Sequence, residues 1–111
     1  RITVRGIKYL RIHLKGTALM ERSEFVRIFK ALSVETRVRI VELLLRRPLC
    51  VNALAARLEV TPAAVSQHLR VLREAAILVA DKRGYFVHYR VNGETLDRFR
   101  EGLEGLLSTR Q

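Results

Sequence analysis

Between Val51 and Leu72 two short runs with helical apolar spacing are separated only by Glu59, Val60 and Thr61, and this close pairing constrains the fold more than any other feature. The first run, Val51 to Leu58, carries Leu54 and Leu58 on one side. The second begins at Thr61-Pro62. Threonine caps the free amides of a helix start, and proline is tolerated at the first helical position. The pattern continues to about Ala75, and at 100° per residue Val65, Leu69 and Leu72 fall within one narrow arc that faces a core.

The flanking segments supply the rest of a domain. Ser23 to Leu32 reads as a helix with Phe25, Ile28, Phe29 and Leu32 on one stripe. Ser33 is placed to cap the next helix, with Glu35 favouring its positive end. That helix runs through Val38, Val41, Leu44 and Leu45 and stops at Arg46-Arg47-Pro48. Ile77 to Ala80 and Tyr85 to Val91 read as strands joined by Asp81-Lys82-Arg83-Gly84, whose glycine accommodates a positive φ. Val87, Tyr89 and Val91 alternate with polar neighbours, as in a half-buried strand. Asn92 is placed to cap a last helix striped by Leu96, Phe99, Leu103, Leu106 and Leu107. Two short helices on a tight turn followed by a basic hairpin describe a winged helix-turn-helix. The expected class is mainly α (α+β), with about five helices and a two-stranded β-hairpin wing.

At 111 residues, 49% hydrophobic and 29% charged, the chain holds one domain, spanning 20–111, behind a basic extension over 1–19. No uninterrupted apolar run approaches a membrane span, and no membrane partner is expected. The single Cys50 excludes an internal disulfide framework and fits a reducing, cytoplasmic location. The net charge of +10 points to a polyanion, and the stretch Arg46 to Gly84 is basic within the domain.

On the second helix of the tight pair, Ala63, Gln67 and Arg70 lie opposite the core arc, flanked by Ser66 and Arg73. Glutamine pairs with adenine, arginine with guanine, and an alanine methyl touches thymine, so this face suits a major groove of double-stranded DNA. Thr61 and Ser66 are candidates for phosphate contacts, which position without specifying. The bland alternative is the solvent face of an amphipathic helix. Lys82 and Arg83 at the hairpin tip weigh against it, because they put a second basic element where a wing tracks the backbone. The stripes of the first and last helices exceed what so small a core covers. Phe25, Ile28, Phe29, Leu96, Phe99, Leu103 and Leu106 are therefore expected to form a homodimer interface, and the operator to be an inverted repeat.

Four segments carry a family resemblance. They are Ala31 to Ile40 (ALSVETRVRI), Leu49 to Ala55 (LCVNALA), Val65 to Arg73 (VSQHLRVLR) and Gly84 to Val91 (GYFVHYRV). In order and spacing, over roughly Glu21 to Leu107, they resemble the ArsR/SmtB family of bacterial repressors. The resemblance implies a dimer whose first and last helices pack together, with repression relieved when a ligand or oxidant acts on a sensor site.

The chain departs from that family in three places. Asn52 stands where some members carry the second thiol of a metal-binding pair begun at Cys50. The last helix offers Asp97, Glu101 and Glu104 but none of the histidines of the other common metal site, so no metal or cofactor is expected. Glu59 replaces a usual glycine at the end of the third helix, where a left-handed residue is expected.

Single residues are less decisive. Cys50 is a possible redox or thiophilic sensor, although a small residue at a helix start is the simpler reading. His68 reads as a packing residue, His88 either as a strand residue or as a group approaching DNA, and His13 lies in the extension. No grouping suggests catalysis, so no enzyme is expected. The expected function is a DNA-binding repressor, the alternative a winged-helix protein-interaction module without its own operator. The effector, the operator sequence and the regulated genes are not encoded in any motif. Arg1, Arg5, Lys8, Arg11 and Lys15 precede Met20 without an acid. Lys15-Gly16 requires a purine-rich codon pair just upstream of that methionine, so 1–19 is expected to be untranslated leader, the alternative being a basic arm.

Overall fold

The computed structural model describes residues 20–108. The 1–19 extension, with its leader-or-arm alternatives and His13, lies outside the described residues. Five helices and one hairpin follow in order: α1 (Arg22–Ala31), α2 (Glu35–Arg46), α3 (Val51–Leu58), α4 (Pro62–Glu74), β1 (Leu78–Arg83), β2 (Phe86–Val91) and α5 (Gly93–Leu107). This is the expected mainly α winged helix-turn-helix.

The core forms where the helices turn their aliphatic stripes inward. Ile28, Ile40, Leu54, Val65, Leu72 and Ile77 are fully buried. Each large aliphatic buried in this way contributes about 1.5–3 kcal/mol relative to exposure. Two details of α2 differ from the sequence expectation. Ile40, Val41 and Leu44 form its buried side, while Val38 and Leu45 are exposed. Ser33 does not cap the helix. The N-cap residue is Val34, and the Ser33 hydroxyl donates to the Lys30 carbonyl at 2.7 Å, closing α1 instead.

Other ends form as their residues dictate. The Thr61 side chain accepts from the Ala64 amide at 3.1 Å, and Asn92 Oδ1 accepts from the Thr95 amide at 3.4 Å. α3 ends at Glu59, which adopts φ 58° and ψ 44°, the left-handed conformation expected there, while the Val60 amide donates to the Ala55 carbonyl at 3.2 Å. α4 ends with Ala76 at φ 61°. There the Ile77 amide donates to Leu72 O at 3.0 Å and the Ala76 amide to Arg73 O at 2.8 Å, the paired closure of a Schellman motif.

The hairpin is longer than the sequence implies. Asp81, Lys82 and Arg83 belong to β1, in antiparallel register with His88, Val87 and Phe86, and only Gly84 and Tyr85 turn. Gly84, at φ +64°, makes so tight a turn possible. Deeper in, β2 also pairs with the α2–α3 connection. The Tyr89 amide donates to Leu49 O at 2.8 Å, and the Leu49 amide to Tyr89 O at 3.2 Å.

A non-glycine residue in the left-handed region carries a steric cost that glycine avoids. Glu59→Gly and Ala76→Gly should each stabilise the protein by roughly 0.4–1 kcal/mol, even after glycine's larger unfolded-state entropy. Urea denaturation checks this, with a higher midpoint and unchanged slope expected for both variants.

Candidate nucleic-acid interface

Val65, Leu69 and Leu72 seal one side of α4 in the core, which fixes what its other side presents. Ala63, Ser66, Gln67, Arg70 and Arg73 are all exposed there. Gln67 and Arg70 are linked, since Arg70 Nη2 donates to Gln67 Oε1 at 3.0 Å. The bond consumes one lone pair of the amide oxygen, leaving the second lone pair and the NH2 group to face a ligand. Thr61 keeps its hydroxyl proton for an external acceptor, because its capping bond uses the oxygen only as an acceptor.

A contact not legible in the sequence steadies this helix. Arg37 on α2 donates from Nε to His68 Nδ1 at 3.2 Å, and its Nη1 reaches the Ala31 carbonyl at the end of α1 at 3.3 Å. One guanidinium thus ties α1, α2 and α4 together. His68, expected to be a packing residue, is half-buried and acts as an acceptor as well. Burial, and secondarily the Arg37 charge, lower its pKa from the usual 6.5.

On the wing, Lys82 and Arg83 are exposed and form no ion pair among the described residues. Arg90 is engaged by Asp81 at 2.7 Å and is not a free cation of the same kind. His88 is half-buried, and its Nδ1 is shut away from solvent without a hydrogen-bond partner among the described residues. Cys50 is a half-buried free thiol at the start of α3. Among the described residues no three His, Cys, Asp or Glu side chains are grouped to hold a metal.

A second surface lies on α1 and α5. Phe25, Phe29 and Phe99 pack in a cluster with ring centroids 4.8–5.1 Å apart, and Arg98 forms a two-pronged ion pair with Glu24, both bonds 3.0 Å. Val26, Phe29, Leu106 and Leu107 are exposed beside half-buried Leu96, Phe99 and Leu103. Phe25 and Ile28, expected at a dimer interface, are 3% and 0% exposed. The protomer's own core consumes them, because they lie on the side of α1 that faces inward. They support the surface from behind.

Comparison with known proteins agrees with this geometry. Residues 35–78 match the model of the arsR family of bacterial regulatory proteins. An ArsR-like transcriptional regulator from Rhodococcus sp. RHA1 superposes with a TM-score of 0.72 at 33% identity, covering 77% of this chain and 80% of that one. The chain belongs to the ArsR family. It is 36% identical over 85 residues to the arsenic resistance transcriptional regulator ArsR1 of Pseudomonas putida, covering 76% of this chain and 66% of that relative's length. The homodimeric winged helix-turn-helix DNA-binding domain of Mb0332 from Mycobacterium bovis is similar with a TM-score of 0.65 at 27% identity, covering 74% of each chain. Within this ArsR-family fold, α3 and α4 are the paired helices and β1–β2 is the wing.

The acceptor role of His68 has a pH signature. Its folded pKa lies below the unfolded value of 6.5, so the unfolded chain binds the extra proton first as pH falls. The stabilisation is full above about 6.5 and is lost as pH drops from there toward the folded value. Thermal melts from pH 7.5 to 5 should therefore show a steeper loss of Tm for wild type than for His68→Gln. Parallel curves would show that His68 does not carry the effect.

Proposed function

We propose that this ArsR-family chain is a transcription regulator that binds duplex DNA as a homodimer and represses until a signal releases it. The observation that carries the reading is the joined Gln67–Arg70 pair, exposed on the outer face of a helix whose inner face is sealed in the core. An amide and a guanidinium so placed match the acceptors and donors of adjacent base pairs in a major groove. Lys82 and Arg83 then follow the phosphates beside it, and Thr61, Ser66 and Arg73 fix register on the backbone. The exposed apolar residues of α1 and α5 favour association through Phe29, Phe99, Leu103 and Leu106, and the M. bovis relative is described as homodimeric. Two-fold pairing places the two α4 helices on half-sites about one helical turn, ~34–36 Å, apart, so the operator is an inverted repeat. Acting on DNA, a bacterial regulator of this kind works in the cytoplasm. The polar outer face of α4 does not favour a pure protein-interaction module.

Operator selection from genomic fragments, followed by titration, tests the reading. Gln67→Ala and Arg70→Ala should each cost about 1–3 kcal/mol of discrimination at one base pair. The double variant should differ from their sum by at least about 0.5 kcal/mol, because the two side chains share a hydrogen bond. Unchanged sequence preference in both single variants would overturn the assignment.

Assembly is checked separately. Leu103→Asp and Leu106→Asp should sediment as monomers and bind the operator weakly, whereas a persistent dimer in both would remove α5 from the interface.

A further inference from the structure

Arg39, Glu42 and Arg46 lie along the outward side of α2, the first and last two turns or about 10 Å apart. Glu42 stands three residues from one arginine and four from the other, the intervals at which ion pairs form on a helix. Yet no ion pair joins them among the described residues. Arg57, near the end of α3, is likewise exposed and unpaired among the described residues. Together with three leucines these side chains line an open cleft of about 500 Å³ between α2 and α3. Leu58 is buried at its base, Leu43 is half-buried, and Leu45 at its lip is 61% exposed. Three guanidiniums against one carboxylate leave the cleft positive above an apolar floor. No residue of α4 or of the wing lines it, so it is distinct from the face proposed to read DNA.

We infer that this cleft binds a small organic acid, its carboxylate held by guanidiniums from both walls and its apolar body laid on the leucines. The inference goes beyond the proposed DNA binding and does not depend on it. An arginine fork matches a carboxylate in its plane and supplies charge-assisted hydrogen bonds, which are stronger than neutral ones. A guanidinium already paired within the protein must give up that partner to bind. These three have none to give up. Glu42 offers an acceptor at the same site for a hydroxyl on the ligand. An inorganic oxyanion would satisfy the arginines but leave Leu45 in water, whereas an organic acid covers it. The cleft also has the size of a small-molecule site, roughly 300–1,000 Å³. Its lining is too small for a protein partner, which takes roughly 20–30 residues a side.

Titration of the protein alone with 2-naphthoate at about 0.15 M salt tests the site, with 2-naphthol and inorganic phosphate as further probes. Wild type should bind one 2-naphthoate per protomer with a Kd on the order of 0.1 mM. 2-Naphthol lacks the charge and should bind at least about tenfold more weakly. Equimolar phosphate should displace little of the acid. Arg57→Gln should weaken 2-naphthoate binding about tenfold, and so should the double variant Arg39→Gln with Arg46→Gln. Leu45→Ser should weaken it roughly threefold. Arg100→Gln removes the same charge from α5 and should bind as wild type does. All the substituted side chains are exposed, so without ligand each variant should melt with wild type, and the melting curve is recorded for each. No saturable binding by wild type, or equal losses in Arg57→Gln and Arg100→Gln, would overturn the site. Ready displacement by phosphate, with Leu45→Ser unchanged, would make the cleft a plain oxyanion site and overturn the ligand class. Intact 2-naphthoate binding by a protein that binds no operator would support the cleft and overturn the DNA-binding proposal alone.

Discussion

Two backbone hydrogen bonds between Leu49 and Tyr89 decide how the parts of this domain act together. A two-stranded hairpin is marginal alone in water, and a wing free to swing would lose orientational entropy at every encounter with a ligand. The pair joins β2 by a single β-bridge to Leu49, two residues before α3 begins, so the wing and the paired helices share one frame. Buried Leu49, packed with Tyr89, shields these bonds from competing water. Everything presented outward, from Gln67 to Tyr85, inherits its position from that frame.

Within the frame, α4 is constrained from three directions. Its inner side is locked by Val65, Leu69 and Leu72. Its flank is held by the Arg37 guanidinium through His68, and its ends are bracketed by Glu59 and Ala76 in left-handed conformations. Residues in that region persist only when their surroundings over-determine them. Here the surroundings are buried leucines on one side and a paired helix closure on the other. A helix confined in this way presents its polar side chains with little backbone freedom left to lose on binding.

Much of this was legible in the sequence wherever a local rule decided the outcome. Thr61-Pro62 marks the start of α4 because capping and a fixed φ act within a few residues, and Asn92 marks α5 for the same reason. Glu59 was readable as left-handed from the closeness of the turn and the resemblance to a family with glycine there. Ser33 does not follow its local rule, because a second option, the Lys30 carbonyl behind it, competes for its hydroxyl. Periodicity shows that α2 is amphipathic but does not choose between neighbouring stripes, so it points to Val38 and Leu45 where Ile40 is the buried residue. Phe25 and Ile28 were correctly placed on an apolar stripe, whose depth depends on α5 and the rest of the core. Arg37 with His68, and Leu49 with Tyr89, are encounters between distant segments that no local pattern announces. On the outward face of α4, by contrast, all five residues expected from the helical wheel are exposed.

The outer side of β1 has no neighbouring strand among the described residues, since β2 and Leu49 lie on its other side. Unpaired strand edges are templates for stacking one molecule on the next. Here the outer half of that edge reads Asp81-Lys82-Arg83, and charged side chains on an exposed edge, lysine above all, disfavour its pairing with another strand. The same cations that suit the wing to a polyanion therefore keep it from growing into a larger sheet. Crowded against its own copies, a wing edged in this way stays a hairpin instead of seeding a fibre.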